Sequence, residues 1–300
     1  MNRNFTSLSR QHTRRAGNMI TLTIVRHGES TDNLKPLWAG WSDAPLSQHG
    51  MNQAKALGES LKDTKFDYIF ASDLKRAHWT SQQILKNQAD PKPPLVVSEL
   101  LREQHFGEGE QKPFGENSGW VRQPGRVFKF PGGESLTDVR KRADQAVEQF
   151  IEPILKECRG KPATSKHVVV VAHGIFNSEF LGALMARRKT NAPLEWNYRG
   201  MTNTGWTKAE VGYADEARTE TTTQISTDPS GPVSPSSAPS APPPSTPNPD
   251  NLEPLVIKVL CSDVTDHLKG VIRQKGGLGS QSYDEKQEDI RKFFGGGGAK

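Results

Sequence analysis

The sequence predicts an α/β domain of three layers, with helices on both faces of a mostly parallel central sheet. Three observations predict it. First, β-branched runs stand at 20–25 and 168–172, the second apolar throughout, as in a strand buried on both faces. Second, segments with apolar residues at three- and four-residue steps separate such runs, the pattern of crossover helices. Third, only 33% of the 300 residues are hydrophobic while an ordinary 24% are charged, so a normal core is diluted by polar segments.

In chain order, 20–25 is the first strand. Ser47 caps a helix whose Met51, Ala54, Leu57 and Leu61 share one face. Residues 68–71 form a short strand, 74–85 a second helix and 95–97 a third strand. A long helix spans 134–156, with Leu136, Val139, Ala143, Ala146, Phe150 and Ile154 in one stripe. The Val-rich strand at 168–172 leads into a helix at 176–186, and an apolar run at 255–260 reads as a last strand of the same sheet.

Composition divides the chain into a basic disordered tail at 1–18, a folded domain at 19–213, a Pro/Ser-rich disordered insertion at 214–251, the final strand at 252–268 and a Gly-rich charged tail at 269–300. Nine of the 21 prolines fall in 228–249 with no aromatic residue, too little apolar surface to offset the entropy of ordering. A proline-recognition partner fits that stretch; a plain spacer is the simpler reading. The first 18 residues carry Arg3, Arg10, Arg14 and Arg15 and no acid, which fits a basic tail or, as the alternative, a mitochondrial presequence.

Several function classes are set aside. No apolar run is long enough to cross a bilayer, so no membrane partner is expected. Cys158 and Cys261 build neither a disulfide framework nor a cysteine zinc site, which fits a reducing compartment, the cytoplasm by default and the mitochondrion otherwise. The net charge of +5 suits an anionic substrate and is weak as a sign of nucleic acid, so no nucleic-acid partner is expected. The eight histidines show no paired-ligand spacing, so neither a metal nor another cofactor is expected.

The first strand ends in Arg26-His27-Gly28-Glu29. A His at the C-terminal tip of a parallel strand lies where α/β sheets open a ligand crevice, and the Arg beside it neutralises an anion. Alone, such a triplet more often closes a loop. The strand at 168–172 ends the same way, in His173-Gly174 at a helix start, whose free N–H groups attract phosphate. Another strand ends at Ser72-Asp73, with Arg76 in the first turn of the next helix, where a lone Arg would be a surface charge. Together Arg26, His27, Arg76 and His173 describe a basic pocket for a phosphoryl group, assembled from three strand tips. Glu103, shortly after 95–97, is a carboxylic acid that would protonate a leaving oxygen if held beside that phosphate. Without this context it is a surface Glu on a loop.

These spacings resemble the histidine phosphatase superfamily, also called phosphoglycerate mutase-like, over roughly 21–212 and the final strand through 268. The motifs that carry the resemblance are Val25-Arg26-His27-Gly28-Glu29-Ser30 with Asn33, Leu46-Ser47-Gln48-His49-Gly50 with Gln53-Ala54, and Ser72-Asp73-Leu74-Lys75-Arg76-Ala77. They continue with Leu101-Arg102-Glu103 and Gly107, Pro131-Gly132-Gly133-Glu134-Ser135, Ala172-His173-Gly174 and Asn203-Thr204-Gly205. The resemblance implies a phosphoglycerate mutase-like fold and a metal-independent phosphoryl-transfer enzyme. His27 then matches the nucleophile that becomes a phosphohistidine, and Glu103 the proton donor. Arg26, Arg76 and His173, with Gly174, match the phosphate-binding cluster; Asn33 and Gly40 match further pocket contacts.

Within the superfamily the chain is most similar to fructose-2,6-bisphosphatase-type and broad-specificity phosphatases, and its terminal segment, with Asp266-His267-Leu268, to fungal members. A phosphatase for small phosphorylated substrates is therefore the leading expectation. A phosphoglycerate mutase is the runner-up, and a non-catalytic phosphate-binding module the third reading. The stretch from Gln104 to Phe130 is expected to form a substrate lid, with Lys112, Arg122, Arg126 and Lys129 available for a second anionic group.

Overall fold

Two opposed sets of apolar side chains fix the layers of this computed structural model, which describes residues 19–115, 118–161, 165–188, 200–214 and 253–284. β1 (Met19–Arg26) turns Ile20, Leu22 and Ile24 to one side of the sheet and Val25 to the other, the two-residue period of a strand. β4 (His167–Ala172) does the same with Val168 and Val170 against Val169 and Val171. Because both faces are apolar, both need cover. α1 (Gln48–Ser60) and α2 (Lys75–Lys86) cover one through Leu57, Ala77 and Ile84. α3 (Leu136–Ala146), α4 (Glu152–Cys158) and α5 (Gly174–Ala186) cover the other. Phe176, Phe180, Ile151 and Leu155 are fully buried there, each worth about 1.5–3 kcal/mol on burial.

With β2 (Tyr68–Ser72), β3 (Leu95–Ser98), β5 (Trp206–Tyr213) and β6 (Leu255–Val264), the sheet has six strands in the order β3-β2-β4-β1-β5-β6. The first four are mutually parallel, so β1, β2 and β4 end on the same edge. β5 runs antiparallel to β1, and β6 antiparallel to β5. The three-layer, mostly parallel α/β architecture expected from the sequence is therefore the one observed. Among the described residues no helix is long and apolar enough to cross a membrane.

Helix starts follow local chemistry. The Ser47 hydroxyl accepts from Gly50 N at 2.9 Å, and Ser135 and Asp138 form a reciprocal capping box at the head of α3. The single helix expected over 134–156 is instead interrupted by a π-turn at Val147–Ile151, after which Pro153, with no N–H to donate, restarts the helix as α4.

Two further departures concern the C-terminal half. β5 has no counterpart in the sequence reading. The stretch after 269, read as a tail, packs on α1 as far as Asp284: Gln48 N donates to Gln281 O at 2.9 Å and Tyr283 N to Leu46 O at 2.8 Å. The Tyr283 ring supplies the reason, standing edge-on to Trp79 at 5.5 Å beside Leu46, Met51 and Ala54. The expectations for 1–18, 228–249 and the last glycines lie outside the described residues.

Candidate active site

The shared edge of β1, β2 and β4 gathers the predicted residues into one site. Arg26 ends β1 and His27 follows it, Arg76 lies in the first turn of α2 after β2, and His173 with Gly174 joins β4 to α5. The His27 and His173 rings stand 5.0 Å apart between centroids, tilted by 55°.

His27 is buried and its Nδ1 lies 2.6 Å from its neighbour's carbonyl, Gly28 O. A carbonyl only accepts, so Nδ1 carries the proton and Nε2 keeps its lone pair. Burial first, then the Arg76 and Arg26 guanidiniums, hold the imidazole well below its ordinary pKa of 6.5 despite that hydrogen bond. The ring is neutral near pH 7, as a nitrogen nucleophile must be. Its backbone is fixed by Ala172 O, which accepts His27 N at 3.0 Å, and by Thr80, whose Oγ1 accepts Gly28 N at 3.0 Å.

His173 is fully buried, and neither ring nitrogen has a hydrogen-bond partner among the described residues. Burial, then Arg76 and His27, lower its pKa well below 6.5. An unpaired buried polar group costs roughly 1–3 kcal/mol, so such a ring is poised for a polar ligand. Arg26 shows the same incompleteness: Nη1 donates to Met201 O at 2.7 Å, while the buried Nε donates to nothing described. Arg76 is braced from behind, by Gly40 O at 2.7 Å and Ser42 O at 2.8 Å. Burial pulls its pKa down against Glu103 and Asp32, yet a guanidinium stays charged. The site thus concentrates two cations and two neutral imidazoles around one space, an arrangement made for an anion.

Glu103 closes the site from the other side. Its Oε1 accepts Phe176 N at 3.0 Å and Gln104 N at 3.0 Å, and Oε2 accepts Ile175 N at 3.1 Å. Two N–H groups in the first turn of α5, those of Ile175 and Phe176, are given to this carboxylate. A Cβ placed on Gly174 would lie 3.8 Å from both Arg26 Nε and Glu103 Oε2, so the space above Gly174 opens between the cation and the acid.

Asn33 and Gly40 take less direct places. Asn33 is exposed; its Oδ1 accepts Ser30 N at 3.0 Å and meets Asn203 Nδ2 at 3.4 Å. Gly40, at φ +47°, spends its carbonyl on Arg76, and a side chain there would collide with Glu110 and Phe106.

Two residues with no part in the sequence reading hold Glu103. Arg142 donates to Leu100 O at 3.0 Å, Arg102 O at 2.6 Å and Glu103 O at 3.0 Å, and grips Glu134 with Nε at 3.0 Å and Nη2 at 2.7 Å. Trp41 Nε1 donates to Glu103 O at 2.7 Å, and its ring lies under the Arg102 guanidinium at 4.8 Å and tilted against the His105 ring at 4.6 Å. Phe106 is buried against Trp38 and Phe130 rather than turned to the pocket. Of the four lid cations, Arg126 pairs with Glu179 at 2.6 Å and Lys129 with Asp138 at 3.7 Å, whereas Lys112 lies over Trp120.

The sequence profile of the histidine phosphatase superfamily (branch 1) matches residues 22–222, which contain every one of these pocket residues. The chain belongs to that superfamily. It is 38% identical over 184 residues to a 2,3-bisphosphoglycerate-dependent phosphoglycerate mutase of Cytophaga hutchinsonii, covering 58% of this chain and 80% of that one. Fructose-2,6-bisphosphatase TIGAR of Xenopus tropicalis is 36% identical over 147 residues, 47% of this chain and 54% of its own. A Schizosaccharomyces pombe protein named "Probable phosphatase" is 28% identical over 280 residues, 91% of this chain and 79% of its own. Among solved structures, mycobacterial glucosyl-3-phosphoglycerate phosphatase superposes with a TM-score of 0.54 at 25% identity, over 66% of this chain and 93% of that one. Phosphatases and mutases are thus both among the relatives of this histidine phosphatase superfamily member.

Proposed function

We propose that this protein hydrolyses phosphomonoesters of small metabolites, sugar phosphates among them, through a phosphohistidine on His27 with Glu103 as proton donor. The observation that carries the reading is the buried His27 imidazole, neutral and locked by the Gly28 carbonyl into the tautomer that leaves Nε2 nucleophilic. In the first step Nε2 forms a bond to phosphorus as the ester P–O bond breaks, and the leaving oxygen takes a proton from Glu103. In the second, water attacks phosphorus, its proton passes to Glu103, and the P–N bond breaks to restore the lone pair on Nε2. Arg26, Arg76 and His173 surround the equatorial oxygens, and positive charge fixed there before reaction stabilises the transition state without reorganisation. The backbone N–H groups on Glu103 stabilise the charge that its carboxyl acquires on releasing the proton.

Similarity to phosphoglycerate mutases favours a second reading, transfer between hydroxyls of a phosphoglycerate. Against it, Arg126 and Lys129 in the lid are spent on Glu179 and Asp138, which leaves few cations there to grip a substrate carboxylate. The test is a metal-free panel of fructose-2,6-bisphosphate, fructose-1,6-bisphosphate, 3-phosphoglycerate, phosphoserine and an aryl phosphate, with His27→Ala beside the wild type. Phosphate release abolished by the substitution supports the hydrolase. Isomerised phosphoglycerate without release reassigns the protein as a mutase, and binding without turnover makes it a phosphate-binding module.

A further inference from the structure

We infer that Asp263 and His267 are positioning residues for the nucleophile, acting through the turn at 202–205; this rests on the reading of His27 as the phosphorylated group. Both lie outside the 22–222 span that carries the family match, so membership assigns them no part. The sheet brings them to the site. β6, antiparallel to β5, runs in the same sense as β1 and ends at Val264 opposite Trp206, which itself pairs with Val25.

The turn at 202–205 holds the backbone of the nucleophile. Asn203 Nδ2 donates to His27 O at 3.0 Å, and Thr204 N lies 3.0 Å from Arg26 O and 3.2 Å from His27 O. Gly205 O accepts Arg26 N at 3.1 Å, and the preceding Met201 O accepts the Arg26 guanidinium. These bonds fix the peptide plane after His27. The next plane carries the Gly28 carbonyl that sets the His27 tautomer.

The turn does not hold itself in this shape. Thr204 has φ +60°, a left-handed conformation that a β-branched residue rarely adopts. Its hydroxyl donates to Asn203 O at 2.7 Å; having one proton, it must accept from His267 Nε2 at 2.9 Å. Asp263 grips the other end, accepting Thr202 N at 2.8 Å and the Thr202 hydroxyl at 2.9 Å. A Cβ on Gly205 would meet Asp263 Oδ1 at 2.1 Å, so only glycine admits the carboxylate. On the far flank Arg273 pairs with Glu29, two residues after His27, so the same C-terminal segment touches the nucleophile loop on both sides.

The test uses the full chain and p-nitrophenyl [32P]phosphate in a rapid-quench instrument with alkaline quenching, since a phosphohistidine is acid-labile. It reads the rate constant of His27 labelling and the label per chain, with His27→Ala as the unlabelled control. His267→Ala and Asp263→Ala are expected to slow labelling at least tenfold while final label per chain stays at the wild-type value. His267→Gln, which still offers an N–H to Thr204, restores most of the rate, and in a Thr204→Gly background, where the strain is gone, His267→Ala loses most of its effect. Wild-type rate constants in both alanine variants, or a reduced label per chain at an unchanged rate, overturn the inference alone. An unlabelled wild type overturns the hydrolase reading and this inference with it.

Discussion

Acid should destabilise this fold well before its carboxylates are protonated, and His167 is the place to measure it. Its ring sits at the start of β4, with Nε2 2.8 Å from Thr23 Oγ1 and the Phe66 ring edge-on at 4.6 Å. Burial, then the nearby Lys208, lowers its pKa from 6.5 to about 4, against the pull of Asp67. Unfolded, the imidazole binds a proton near pH 6.5; folded, it resists until about pH 4. Lowering pH through that window therefore feeds protons to the unfolded chain and removes stability that is fully present above it. From about pH 7 to about pH 5 the linkage integral for this one group comes to no more than about 2 kcal/mol, the partial exposure of the ring reducing it. His27 and His173 act in the same direction. His167→Gln keeps a polar partner for Thr23, able to donate or accept, and has nothing to titrate. Urea midpoints measured at both pH values should show the variant losing less stability than the wild type, by up to that amount. Equal losses in the two proteins would refute the claim that the folded chain holds His167 neutral.

Three other outcomes follow from the geometry. Glu103→Gln keeps one acceptor oxygen for the α5 N–H groups, sets an amide nitrogen against the other, and has no proton to give, so turnover of alkyl phosphates should fall roughly 100-fold or more, with nitrophenyl phosphate, whose leaving group needs no acid, largely spared. Arg142→Ala takes the guanidinium from Glu134 and strands the Leu100 and Arg102 carbonyls, while Glu103 O keeps Trp41 Nε1; a loss of about 2–3 kcal/mol in denaturant unfolding is expected, together with slowed turnover because Glu103 loses part of its brace. Gly50→Ala puts a methyl group 1.9 Å from Glu29 O, so soluble yield and thermal midpoint should both drop.

The parts of the site legible in the sequence were those tied to strand ends. Arg26 ends β1, His27 and His173 directly follow β1 and β4, and Arg76 lies in the first helical turn after β2, and parallel strands bring such tips together whatever lies between them. Arg142 and Trp41 carry no such marker. Arg142 sits on α3 between Val139 and Ala143, where a charge reads as solvated unless its partners, 39 to 42 residues earlier, are known. The ion pairs of Arg126 and Lys129 are hidden from the sequence for a related reason, since Glu179 and Asp138 come from α5 and α3. In the fold, β5 escaped because its buried positions include Thr207 and Ala209, facing away from Lys208 and Glu210, a weak signal beside the Val runs. The π-turn was hidden because the apolar stripe continues through it, with Pro153 as its one local sign.

The pairing of β5 with β6 has a consequence for how this chain can change length. Tyr213 and Leu255 are cross-strand neighbours, Ala214 N donates to Pro254 O at 2.9 Å, and Gly212 lies opposite Met19, at the end of β1 remote from His27. The two ends of the proline-rich stretch are thus clasped together at the pole of the sheet farthest from the chemistry. A connection whose two ends are already paired costs only about 0.6 kcal/mol more in closure entropy for each doubling of its length. Residues can be gained or lost between Ala214 and Glu253 over generations while the β5–β6 pair still delivers its far end to His27. That makes the stretch a natural place for new sequence to accumulate without an enzymatic penalty.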